Sequence, residues 1–333
     1  MCMRNIKFSY QIILMPLISA LILLFASCKP EYRTIDGETW GTYYHIVYSS
    51  DCLLDDSIKS ELSAIDNEFS LFNPNSTVSK INSGETDVVG DRFAAVFEMC
   101  RLVNLYSKGV YDPTVGQVAN LWGFGKKEVM TRPTQSEIDS ALVCVGLREC
   151  AIITGNKIIK KSAGTTFDFS SIAKGFGIDC IAEMFERNGC NDYMIEIGGE
   201  IAAKGMSPKG QRWRIQVDSP TSGFGHDALH VVELGPERMA LASSGNYRNF
   251  RNLGDTLYGH TISPLTGYPV KGQLLSVTIK TEKCAMADAL ATACMASVTQ
   301  DAAEAIINEA DVDGLIVVGD SLGNYRTLYK GIE

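Results

Sequence analysis

Apolar residues recur along this chain with two periods. From Asp56 to Phe72 the residues Ile58, Leu62, Ile65, Phe69 and Phe72 fall on one side of a helix. From Asp91 to Lys108, Phe93, Val96, Phe97, Cys100 and Val103 form a second stripe of the same kind. The stretch from Phe167 to Asp179 leads into a third helix with Cys180, Ile181, Met184 and Phe185 inward, and a fourth runs from Asp301 to Ala310. A capping box, Thr134 with Glu137, opens a short helix between them. Strand-like segments read at Gly41–Tyr48, Tyr193–Ile197, Ile201–Lys204, Trp213–Val217, His230–Leu234, Met239–Leu241, Leu275–Lys280 and Leu315–Val318. Ala151 to Lys160 reads as a hairpin turning at Gly155-Asn156, and Gly198-Gly199 turns between two of the central strands. The strands gather in the middle of the chain and do not alternate strictly with helices, which predicts an α+β fold.

One helical segment departs from the amphipathic pattern. Ala285-Met-Ala-Asp-Ala-Leu-Ala-Thr-Ala is apolar almost all round, and Asp288 and Thr292 break it four residues apart, on one face. Burying those oxygens unpaired costs a few kcal/mol, so they need partners. A hard cation with oxygen ligands is one kind of partner and a hydrogen-bond network is the other. The preceding loop holds His260 among Pro264, Gly267 and Pro269, a stiff turning path. A histidine there serves either as a general base near neutral pH or as a packed loop residue. Asn120-Leu-Trp-Gly-Phe-Gly125 places aromatic rings beside glycines, which suits a planar ligand or a core plug. Ser170 or Ser171 is positioned to cap the helix that carries Lys174 and Gly175, whose first amides suit phosphate oxygens. The Gly175-Phe-Gly177 pair lacks the third glycine and the preceding strand of a dinucleotide fingerprint, and no phosphate-loop motif occurs.

Composition narrows the setting. The chain has 333 residues, 45% apolar and 21% charged, within the globular range. Arg4 and Lys7 precede an apolar run from Ile12 to Ala26 that Pro16 interrupts. Residues 1–27 therefore read as a secretory leader, too short to span a membrane. Leu24-Phe-Ala-Ser-Cys28 resembles a bacterial lipobox, which implies a lipid-anchored, periplasm-facing lipoprotein beginning at Cys28. Lys29-Pro30, with no acid after the cysteine, leans by bacterial sorting rules to the outer membrane. Residues 28–38 read as a tether and 39–333 as the working domain. The net charge is −9 and becomes more negative without the leader, which argues against nucleic acid and against an anionic lipid surface as partners. A polyanionic substrate must then be held locally. Ten cysteines include no Cys-x-x-Cys, so a zinc or iron–sulfur site is not expected, while one or two disulfides remain open in an exported chain.

Five segments in order then resemble a single family. They are Tyr111-Asp-Pro-Thr-Val-Gly116 with Asn120–Gly125; Asp168-Phe-Ser-Ser-Ile-Ala-Lys-Gly-Phe176; Ile197-Gly-Gly-Glu200; His260-Thr-Ile-Ser-Pro-Leu-Thr-Gly-Tyr-Pro269; and Ala287-Asp-Ala-Leu-Ala-Thr292. Together they are similar to the ApbE family of periplasmic FAD:protein FMN transferases, from about Trp40 onward. The resemblance implies one large domain with a central, mostly antiparallel sheet flanked by helices. It implies Mg²⁺-dependent transfer of FMN from FAD to a threonine or serine hydroxyl of a target protein, with AMP released. The target implied is a subunit of a membrane redox complex. By the same resemblance Asp288, Thr292 and the Ala173 carbonyl are metal ligands and His260 draws the acceptor's proton. Trp40, Phe72, Val110, Tyr111, Asp112, Ser170, Phe176 and Ile262 match FAD contacts. Trp40 stands where the family commonly has methionine, Ser170-Ser171 where glycine is frequent, and Ser243-Ser244 where Thr-Ser is usual; these departures bear on ring packing and phosphate contacts. An FAD pyrophosphatase, with water as nucleophile, and a flavin-binding lipoprotein without catalysis are the rival readings.

Overall fold

The computed structural model describes residues 31–125, 129, 131–220, 227–245, 250–253, 256–259, 261–320 and 324–332. The leader, Cys28 and His260 lie outside the described residues. In chain order the elements begin with strands β1 (Tyr32–Thr39) and β2 (Thr42–Ser49), then helices α1 (Asp55–Phe69), α2 (Thr77–Ser83), α3 (Asp91–Tyr106), α4 (Gly116–Leu121), α5 (Gln135–Leu142) and α6 (Leu147–Cys150). The hairpin β3 (Ala151–Thr154) and β4 (Lys157–Lys160) leads to α7 (Ala173–Arg187), β5 (Tyr193–Ile197), β6 (Glu200–Lys204), β7 (Trp213–Asp218), β8 (Ala228–Leu234) and β9 (Met239–Gly245). The chain ends with β10 (Phe250–Leu253), β11 (Thr256–Gly259), β12 (Leu274–Thr281), α8 (Cys284–Ala296), α9 (Gln300–Glu309), β13 (Asp313–Gly319) and β14 (Tyr325–Lys330).

Eight strands form one sheet in the order β1-β2-β5-β6-β9-β12-β13-β14, antiparallel at every step. Alternation sorts its side chains onto two faces. Tyr44, Ile46 and Tyr48 of β2, with Tyr193, Ile195 and Ile197 of β5, pack under α1 and α7. The intervening Val47 and Met194, with Ile201 and Leu241, pack instead against Trp213, Ile215 and Val217 of the β7–β8 hairpin. The sheet centre is thus covered on both faces, as its nearly continuous apolar strands require.

The apolar helix predicted around Asp288 is α8, and it lies at the centre of the molecule. It packs on β9 and β12 and is surrounded by α3, α7 and α9. All of its residues except Met286 and Thr292 are buried. Its alanines let the neighbouring helices approach closely, most of all at Gly175 of α7. A Cβ built there would lie 2.4 Å from the Cys284 carbonyl oxygen, so only glycine fits.

Several expectations change in three dimensions. The segment read as a tether is ordered from Tyr32 onward as β1, an edge strand paired along its length with β2. Its burial alternates, but the less exposed positions from Arg33 onward are Arg33, Ile35, Gly37 and Thr39, so only Ile35 marks the period with an apolar side chain. Helix α1 stops at Phe69, where Ser70 turns to extended backbone, so Phe72 leaves the buried stripe and is 81% exposed. Neither Ser170 nor Ser171 caps α7, which has no side-chain cap. The Ser170 amide donates to Asp168, and the Ser171 hydroxyl donates to the Tyr111 oxygen. Cys180 is half-buried. Met239–Gly245 runs longer than predicted because Ser243 bonds Thr278 of β12 at 2.8 Å, so polar residues continue the ladder. The Thr134–Glu137 capping box, the Gly155-Asn156 hairpin and the Gly198-Gly199 turn form as expected. Cys52, Cys100, Cys144, Cys180, Cys190, Cys284 and Cys294 are all free thiols. No helix among the described residues is long and apolar enough to cross a membrane.

Candidate active site

In an antiparallel sheet the end of one strand lies beside the start of its neighbour. The ends of β5 and β9 and the starts of β6 and β12 therefore share one edge, and there a cleft of about 1070 Å³ opens. That is at the upper end of the range for small-molecule sites and suits a long ligand with two ring systems. Val110, Tyr111, Asp112, Ser170, Ile262, Asp288 and Thr292 all line it, although they span most of the chain. Trp40, Phe72, Ala173 and Phe176 do not line it. Trp40 packs over Gly177 and donates its indole N–H to the Leu62 carbonyl. Phe176 is buried, edge-on to Phe69.

Asp288 sits at the point where α7 and α8 touch. Its Oδ2 accepts the Gly175 amide at 3.2 Å and lies 3.6 Å from the Lys174 ammonium. The absence of a side chain at Gly175 is what permits that approach. Thr292, one turn further along α8, also borders the cleft. Lys174 lies 3.1 Å from Oε1 of Glu200, the first residue of β6 after the two-glycine turn. Gly198 and Gly199 hold φ of 63° and 100°, which only glycine adopts freely and which swings Glu200 toward α7. Glu200 is 6% exposed and its Oε2 has no hydrogen-bond partner. Burial pushes its carboxyl up to about 7, against the pull of Lys174. Burial alone lowers the pKa of Lys174, but Asp288 and Glu200 outweigh it and hold the ammonium above its usual range.

The supports are equally specific. Asp179, two turns before the end of α7, accepts the Cys284 and Ala285 amides, both at 2.9 Å, and so caps the start of α8 from another helix. Burial pushes its carboxyl up to about 6 although both amides favour the charged form. Asp112 accepts the Thr114 amide at 2.8 Å and the Leu147 amide at 2.7 Å, and burial raises its pKa. It is therefore tied into the turn that brings Val110 and Tyr111 to the cleft. Burial also raises the Tyr111 phenol well above its ordinary value. Trp122 takes the plug role. It is fully buried, and its indole N–H donates to the Gly267 carbonyl at 2.8 Å, pinning the loop that carries Thr261 and Ile262.

Sequence reasoning singled out Lys174 for phosphate and missed Glu200 and Asp179 as partners of the site. The two-glycine turn before Glu200 was the available signal. Asp179 carried none, because an acid inside a helical pattern reads as a solvated face. Among the described residues no group of three or more His, Cys, Asp and Glu side chains gathers as a metal cage. A cation here would draw on a carboxylate, a hydroxyl and a backbone carbonyl instead, a donor set for a hard ion. Asp288 with Thr292 supplies the first two at the cleft, and Ala173 lies two residues from the Gly175 amide that touches Asp288.

The ApbE family model matches residues 40–316. A FAD:protein FMN transferase of Haemophilus influenzae is 34% identical over 290 residues, covering 82% of this chain and 83% of that protein. One from Vibrio cholerae is 35% identical over 291 residues, covering 83% and 85%. Among solved structures, the flavin transferase ApbE from Vibrio cholerae superposes with a TM-score of 0.81 at 29% identity, over 91% of this chain and 98% of that one. The Pseudomonas stutzeri flavinyl transferase ApbE in its apo form gives 0.80 at 26% identity, over 91% and 95%. With the family model, the relatives and the superposed folds in agreement over the same residues, the chain belongs to the ApbE family.

Proposed function

We propose that this chain transfers FMN from FAD to a threonine or serine hydroxyl of a target protein and releases AMP. The acceptor oxygen forms a bond to the phosphorus of the FMN half, and the bond from that phosphorus to the oxygen leaving with AMP breaks. The carrying observation is the floor of the cleft, where Asp288, Thr292 and Lys174 meet in a space large enough for a flavin dinucleotide. The names of the relatives, FAD:protein FMN transferases and flavin transferases, support the same reaction.

The donor set of Asp288, Thr292 and the Ala173 carbonyl fits Mg²⁺, and those residues would hold it. When bound, the ion supplies positive charge against the diphosphate and the developing charge on AMP. The protein's own part is local neutralisation in an acidic chain. Lys174 lines the cleft, and its ammonium is the positive group there that phosphate oxygens would meet. Val110, Tyr111 and Ile262 provide apolar surface for a ring. His260, the residue immediately before Thr261 of the cleft wall, takes the hydroxyl proton in this reading.

The test is incubation of the mature chain with FAD, Mg²⁺ and a candidate target domain, followed by intact-mass measurement of the target. Transfer adds one FMN to the target and yields AMP, and Asp288→Ala abolishes both. Free FMN with an unmodified target assigns the site to hydrolysis. No Mg²⁺-dependent AMP at all leaves a flavin binder.

A further inference from the structure

The Lys174 ammonium has two carboxylates within reach, and they are not equal. It lies within hydrogen-bonding distance of Glu200 Oε1 at 3.1 Å, while Asp288 Oδ2 is at 3.6 Å, a Coulombic contact beyond a good hydrogen bond. Glu200 also has a second oxygen, Oε2, buried and without a partner, so its carboxylate keeps unused acceptor capacity beside that ammonium. Asp288 directs Oδ2 to Lys174 and the Gly175 amide. Two buried carboxylates this close to each other repel when both are ionised, and the ammonium between them offsets that repulsion.

We propose that Lys174 is a placeholder cation: it screens Asp288 while the site holds no divalent ion and is retained by Glu200 once one arrives. This rests on the metal reading above. A divalent ion at Asp288 and an ammonium 3.6 Å from the same carboxylate repel each other, so the lysine opposes premature metal binding and keeps the empty site folded. The negative charge of the dinucleotide's phosphates then offsets the repulsion between ion and ammonium. Lys174 therefore acts through Asp288 as a positioning residue.

The experiment is calorimetric titration of MgCl₂, without nucleotide, into the mature wild-type chain and the Lys174→Met, Lys174→Gln and Glu200→Gln variants. Losing the competing charge tightens Mg²⁺ binding roughly tenfold in both lysine variants, the scale of one unit charge at this range in a partly screened site. A merely structural role would weaken it. Glu200→Gln leaves the ammonium to Asp288 alone and weakens Mg²⁺ binding by a similar factor. Melting without metal falls in Lys174→Met, and Mg²⁺ raises it by more than in wild type. Lys174→Gln keeps a hydrogen bond to Glu200 and serves should the Met variant fold poorly. Unchanged or weaker Mg²⁺ affinity in the lysine variants, or tighter affinity in Glu200→Gln, overturns the placeholder. A wild-type chain that takes up no Mg²⁺ refutes the metal reading and the placeholder with it.

Discussion

Gly175→Ala is the sharpest probe of how the site is built. A Cβ at that position would meet the Cys284 carbonyl oxygen at 2.4 Å, its carbon at 2.6 Å and the Ala285 amide nitrogen at 2.7 Å. All three are backbone atoms at the start of α8 and cannot swing aside. Restoring ordinary contact requires α7 and α8 to separate by about 1 Å. Such overpacking costs about 1–3 kcal/mol. Separation also breaks the Gly175 amide bond to Asp288, a hydrogen bond to a charged acceptor worth about 1.5–3 kcal/mol. Alanine's better helix propensity returns about 1 kcal/mol. The net loss is therefore about 3 kcal/mol, a large share of a typical domain's stability. Chemical denaturation of the two proteins measures it, and the transfer assay should fall with it because Asp288 loses an orienting donor. A variant within 0.5 kcal/mol of wild type by the same assay (about the range of a neutral surface change) with full activity would refute the claim that close helix contact orders this site.

Two other outcomes are expected, the first from the same geometry and the second from the lipobox resemblance in the sequence. Asp179 has a folded pKa of about 6 against an ordinary 3.8, so its contribution is fully present below about pH 4 and is lost as pH rises through about 6. That is worth about 3 kcal/mol at most, and Asp179→Asn should flatten the melting temperature between pH 4 and 7 relative to wild type; parallel profiles would contradict it. Cys28→Ser should abolish incorporation of labelled palmitate and release the chain from the membrane fraction of a bacterial host, whereas unchanged labelling would remove the lipid anchor from the reading.

Much of the architecture was legible before any coordinates. The stripes of α1 and α3 report themselves because a helix buries one side and water selects the other. The Gly198-Gly199 and Gly155-Asn156 turns are equally plain, since positive φ restricts the residues that fit. Phe72 shows the limit. Its spacing belonged to the α1 stripe, yet the helix ended three residues earlier and left it exposed. β1 shows another, because its inward positions Arg33, Gly37 and Thr39 are not apolar and Ile35 alone leaves no period to read.

The chain's own order of residues determined the family, the helix that carries Asp288 and Thr292, and the turn that precedes Glu200. Tertiary structure alone decided that Asp288 meets the Gly175 amide 113 positions away, that Asp179 caps a helix not its own, and that Lys174 stands between two carboxylates. The division has a simple cause. Periodicity records how each segment divides its residues between water and core, whereas a hydrogen bond between helices depends on how closely their backbones pack, to within a fraction of an ångström.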